Sequence, residues 1–115
     1  MLAVLRLERT RFSILLMDTM QLFLVEFDIA DFDDDLAQRI PEQHELLLRL
    51  MRSGTVTHFA VSVDRQKLWV FFRVQDMSEL LRTISSFPMV NYLRPTFYPL
   101  LFQESAVRLA PQSLN

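Results

Sequence analysis

The chain has no cysteine, a single glycine and no long apolar run among its 115 residues. Without cysteine there is no disulfide, no thiol nucleophile and no thiolate metal site, a composition that fits the cytoplasm. Twelve Lys and Arg nearly cancel fourteen Asp and Glu, for a net charge of -2. The basic residues form no face, so the electrostatic footprint of a nucleic-acid binder is missing. No stretch approaches the roughly 20 apolar residues that span a bilayer, so no membrane partner is expected. The two histidines, His44 and His58, sit on different segments, and neither a glycine-rich phosphate loop nor a Ser/His/Asp arrangement is present. Neither a metal nor an organic cofactor is expected.

What is abundant is apolar surface. Half the residues are hydrophobic, yet in so short a chain one core is marginal, and the surplus is expected to bury against another chain. Residues 1–19 stand apart, because Arg6, Arg9 and Arg11 interrupt their apolar residues. They read as an N-terminal extension, either upstream of a true start at Met17 or Met20 or as an added strand or helix; a signal peptide would not carry arginines inside its apolar segment. Residues 20–102 form one domain, and residues 103–115 a polar tail that frays.

The domain opens with alternation over residues 21–29, where Phe23, Val25, Phe27 and Ile29 take one face of a strand. Asp31, Asp33, Asp34 and Asp35 then suit a helix start, through capping and the dipole. A helix over residues 36–53 carries Leu36, Ile40, Leu47 and Met51 as its apolar stripe, with His44 in the stripe as a partly buried structural histidine. Gly54 closes it, where a left-handed cap needs glycine. Residues 55–63 and 67–74 form an antiparallel hairpin around Asp64-Arg65-Gln66. Pairing Val63 with Leu68 sets His58 opposite Arg73, Ala60 opposite Phe71 and Ser62 opposite Trp69. A second helix is capped by Asp76 or Ser78, buries Leu80, Leu81 and Ile84, and ends before Pro88. A last strand covers residues 91–102, at an edge because of Pro95 and Pro99.

This βαββαβ order is α+β and ferredoxin-like: an antiparallel sheet with two helices on one face and strands one and three adjacent at its centre. Central pairing lets Glu26 lie beside Arg73, so that Glu26, Arg73 and His58 form a row on the helix-free face. That face also carries Leu22, Leu24, Trp69 and Phe71, too apolar for a small soluble monomer.

Leu22-Phe23 opening the first strand, Gly54 followed by His58, Glu79-Leu80, and the spacing of Pro88, Tyr92 and Pro99-Leu100 resemble the muconolactone isomerase family of dimeric α+β barrels, over about residues 20–100. The resemblance implies a homodimer or larger homo-oligomer whose two sheets enclose a pocket on the helix-free side. It also implies proton transfer within a small unsaturated lactone, without metal or organic cofactor. Family members carry a basic residue at the place of Glu26 and an acidic one at that of Arg73; the chain looks charge-swapped, which favours an ion pair. Such chemistry needs a base beside a carbon acid and donors for the developing enolate. Glu26 or His58 would take the proton, Arg73 would hold the oxyanion, and Trp69, Phe71 and Tyr92 would wall the pocket. A cofactor-free monooxygenase of the same architecture and a non-enzymatic ligand-binding or assembly dimer are the alternatives.

Overall fold

The computed structural model describes residues 20–106; the expected N-terminal extension and most of the tail lie outside them. The chain forms β1 (Gln21–Ile29), α1 (Asp34–Ser53), β2 (Val56–Val61), β3 (Lys67–Val74), α2 (Met77–Ser85), a 3-10 turn (Val90–Tyr92) and β4 (Leu93–Leu100). The four strands make one antiparallel sheet in the order β2-β3-β1-β4. This is the expected ferredoxin-like order, with β1 and β3 paired at the centre.

Alternation fixes the two faces of the sheet. Phe23, Val25 and Phe27 of β1 and Leu68, Val70, Phe72 and Val74 of β3 are buried beneath the helices. Leu36 and Leu47 of α1, Leu80 and Ile84 of α2, and Phe87 after it complete that core. The Phe87 ring lies between Phe27 and Phe72, at centroid distances of 5.8 and 6.2 Å. The prolines of β4 sit opposite Phe27 and Phe23. The Ile29 amide donates to the Gln66 carbonyl on the β3 side. Odd-numbered residues of β1 thus turn their backbone groups toward β3, and Pro95 and Pro99 occupy the β4 positions whose nitrogens face outward.

The helix ends follow local chemistry. Asp33 caps α1 by accepting from the Leu36 amide at 2.7 Å, with Asp34 and Asp35 in its first turn. Gly54 closes it at φ 83°, a conformation that costs other residues strain. Asp76 caps α2 by accepting from the Glu79 amide at 2.8 Å, and Glu79 reaches back to the Gln75 amide. Four expected positions are corrected. On α1, Ile40, His44 and Met51 are exposed while Gln43 is buried, and on α2 Leu81 is half exposed. At about 100° per residue, Ile40, Met51 and His44 fall roughly 40 to 80° to one side of Leu36, off the line that meets the sheet.

Candidate functional site

The even-numbered residues of β1 point away from the helices, and the register sets them in rows with their neighbours. Glu26 lies between Trp69 on β3 and Thr96 on β4, Asp28 between Lys67 and Arg94, and Leu24 between Phe71 and Tyr98. The helix-free face is therefore graded, charged at one end and apolar at the other. At the join, the indole Nε1 of Trp69 donates to Glu26 Oε1 at 2.9 Å. Lys67 Nζ lies 3.5 Å from Glu26 Oε2 and 2.5 Å from Asp28 Oδ1. The hydrogen bond to Asp28, with the charge of Glu26 behind it, raises the Lys67 pKa and holds it as a cation.

Five of the six residues singled out from the sequence share this face: Glu26, His58, Trp69, Phe71 and Arg73. Their expected row is corrected. Val61, not Val63, pairs with Leu68, a slip of two residues that keeps the side chains from His58 to Val61 on their faces but moves their partners. The cause is the turn. Ser62 Oγ accepts from the amides of Gln66 and Lys67, Ser62 N donates to the Lys67 carbonyl, and Arg65 takes a left-handed φ of 62°. The connection thus spans residues 62–66, with a compensating irregularity between Val56 and His58.

His58 accordingly faces Phe71 and stacks on its ring at 3.9 Å, with Nδ1 3.3 Å from Thr57 Oγ1. Partial burial lowers its pKa, favouring the neutral imidazole. Arg73 faces Leu22 rather than Glu26, four residues or about 13 Å along β3 from Trp69, the neighbour of Glu26. Tyr92 lies elsewhere, on the 3-10 turn, where its hydroxyl donates to Asp35 at the start of α1. That bond pushes the phenol up to about 12 and holds the Asp35 carboxyl below the ordinary range.

A concavity also exists within the single chain, on the other side of the sheet from the one expected. A cavity of about 880 Å³ opens between the first half of α1 and the β2–β3 hairpin, lined by Leu36, Gln43, His44, Phe59, Arg65 and Met89 among others. The His44 ring meets Phe59 edge-on at 6.0 Å. Among the described residues no group of three or more His, Cys, Asp or Glu could hold a metal ion, and no helix is long and apolar enough to cross a membrane.

The model of the family described as Muconolactone delta-isomerase matches residues 21–105. The chain belongs to that family. Among solved structures, a crystal structure of muconolactone isomerase aligns with a TM-score of 0.63 at 23% identity, over 75% of this chain and 94% of the other. At that identity the likeness shows the shared fold. No curated protein matches the chain.

As a muconolactone delta-isomerase family member, the chain offers two places where chemistry could occur. The helix-free face holds the His58 imidazole, two carboxylates, Glu26 and Asp28, and three cations, Lys67, Arg73 and Arg94, groups that can hold a carbonyl oxygen as it gains negative charge. The helix-side cavity holds a buried amide within apolar walls. Sequence reasoning missed Lys67 and Gln43. Lys67 was legible, since it opens the strand paired with the one carrying Glu26 and Asp28. Gln43 gave only the weak signal of a polar residue seven after Leu36 and four before Leu47.

Proposed function

We propose that the protein is a cytoplasmic homodimer whose helix-free sheet faces pack together and enclose a site for cofactor-independent proton-transfer isomerisation of a small unsaturated lactone or related acid. The observation that carries this reading is the Glu26 carboxylate, held half-buried by the Trp69 indole and Lys67 on a face otherwise rich in apolar side chains; family membership supports it. A base removes a proton from the carbon next to the carbonyl. A cation holds the enolate oxygen, and the proton returns at another carbon, so the product is an isomer of the substrate. His58, whose imidazole pKa is lowered by desolvation, or Glu26 is the base. Arg73 is the oxyanion holder, with Lys67 a second cation on the same face. Trp69 and Phe71 form the wall, and Tyr92 contributes by fixing the 3-10 turn to α1.

A second reading, a ligand-binding dimer without turnover, is favoured by one detail: both Glu26 oxygens already have donors, Trp69 Nε1 and Lys67 Nζ, an arrangement that also serves a purely structural role. The test is incubation with muconolactone in deuterated water. The isomerase reading expects turnover with solvent deuterium in the product, and a loss of about 10² to 10⁴-fold in His58→Gln or Glu26→Gln, the usual contribution of a general base. Thermal stabilisation by the lactone without turnover establishes the binder. Full activity in the Glu26→Gln, His58→Gln double variant removes both bases.

A further inference from the structure

Gln43 is the one buried polar side chain of the described core, only 3% exposed. Its Oε1 accepts from the Met89 backbone amide at 3.1 Å, a bond that ties α1 to the segment before β4. The same bond fixes the plane of the amide. Its Nε2, with two N–H donors, has no partner among the described residues. Buried donors are nearly always paired, so one left over beside a cavity calls for an acceptor.

The surroundings define that acceptor. The cavity of about 880 Å³ falls within the range of small-molecule sites, and its inner wall is apolar, formed by Leu36, Leu47, Phe59 and Leu68. Its polar rim includes Asp31, Asp64 and Arg65, two carboxylates against one guanidinium, which disfavours an anion. We propose that this cavity binds a small uncharged carbonyl compound, with the Gln43 side-chain amide donating to the carbonyl oxygen. The site is separate from the helix-free face and does not depend on the function assigned to it. Nε2 is shielded by its neighbours, so binding requires a local shift of the cavity wall, where Met89 supplies a flexible side chain.

The test is a titration of the 15N-labelled full chain, followed by NMR, with acetophenone, with α-methylstyrene as its carbonyl-free isostere, and with benzoate. Acetophenone should shift the Gln43 side-chain amide and the Met89 backbone amide, leave the Trp69 indole N–H in place, and bind about five- to tenfold more tightly than α-methylstyrene, the worth of one neutral hydrogen bond. Gln43→Glu, read at a pH high enough to ionise the buried carboxyl, keeps the acceptor for Met89 while removing the donor, and should abolish that preference. Should that buried charge unfold the chain, Ile40→Trp decides: position 40 is 43% exposed and lines the cavity, so the bulk is tolerated and blocks acetophenone. Equal binding of both compounds, tighter binding of benzoate, shifts confined to the Trp69 indole, or undiminished binding to Ile40→Trp would each overturn the proposal.

Discussion

Replacing Leu24 by lysine isolates the proposed sheet-to-sheet contact from the fold. Leu24 sits half-buried on the central strand β1, between Phe71 and Tyr98, in the apolar half of the helix-free face. In a lone subunit the lysine stem lies along its neighbours and the ammonium reaches water, so unfolding stability should change by no more than about 1 kcal/mol. Between two packed sheets the same ammonium loses its hydration. We take roughly 3 kcal/mol per charge, the low end of the range for buried ions, because among the described residues β4 alone lies between Leu24 and the sheet edge. Twofold symmetry places two such charges in each dimer, so the contact should lose about 6 kcal/mol, or about 10⁴-fold in Kd. Sedimentation velocity across a concentration series reads this directly: the parent chain dimeric at micromolar concentration, Leu24→Lys monomeric with an intact melting transition. Leu81→Lys, on the half-exposed outer side of α2, is the control and should remain dimeric. A monomeric parent chain, or a Leu24→Lys variant that assembles as tightly as the parent, would refute the face-to-face arrangement.

Two further expectations rest on local chemistry. Pro41 lies inside α1, where it removes an intrahelical hydrogen bond and crowds the Ala37 carbonyl, so Pro41→Ala should stabilise the protein by about 1 to 3 kcal/mol, seen as a higher urea midpoint at unchanged slope; a lower midpoint would show that the helix needs the break. In a Tyr98→Phe background, where Tyr92 is the only tyrosine left, phenolate absorbance should titrate near pH 12, and Asp35→Asn should bring it back toward the ordinary value of about 10. The sign follows from linkage: the raised phenol stabilises the fold below about pH 10, and this fades as pH rises through about 12, whereas the lowered Asp35 carboxyl contributes above its ordinary pKa and is lost as pH falls through its folded value.

The bounds of β1 and β3 were legible to the residue because each alternates cleanly beneath a covered face, and Gly54 and Asp76 marked helix ends by backbone and capping chemistry. The pairing of β2 with β3 was legible only in part. Alternation fixes which face a residue takes but is blind to a slip of two, and the slip was decided by the Ser62 hydroxyl satisfying two turn amides. That slip moved His58 from Arg73 to Phe71, whereas the separate β1–β3 register, which central pairing alone does not fix, set Glu26 against Trp69 and near Lys67 in place of Arg73. Along α1, the stripe through Leu36, Ile40, Leu47 and Met51 and the line through Leu36, Gln43 and Leu47 fit a helical period almost equally well. Hydrophobicity selected the first, whereas contact with the sheet selected the second, leaving Ile40 and His44 to overhang the cavity. Tyr92 kept its place in the family spacing, yet spacing carries no information about where a side chain on a short turn points.

The placement of Pro95 and Pro99 bears on what a crowded solution of this protein can become. Both lie where a strand would otherwise offer outward amide donors, two residues either side of Phe97, so the β4 margin cannot template an incoming strand at those positions. The opposite margin, β2, is broken by its irregularity between Val56 and His58. A domain with this much exposed apolar surface and two regular margins would invite end-on stacking into a continuous ribbon, the geometry of fibrils. With both margins of the described sheet interrupted, strand addition is disfavoured, and the proposed face-to-face dimer is the mode of self-association that closes on itself and stops growing.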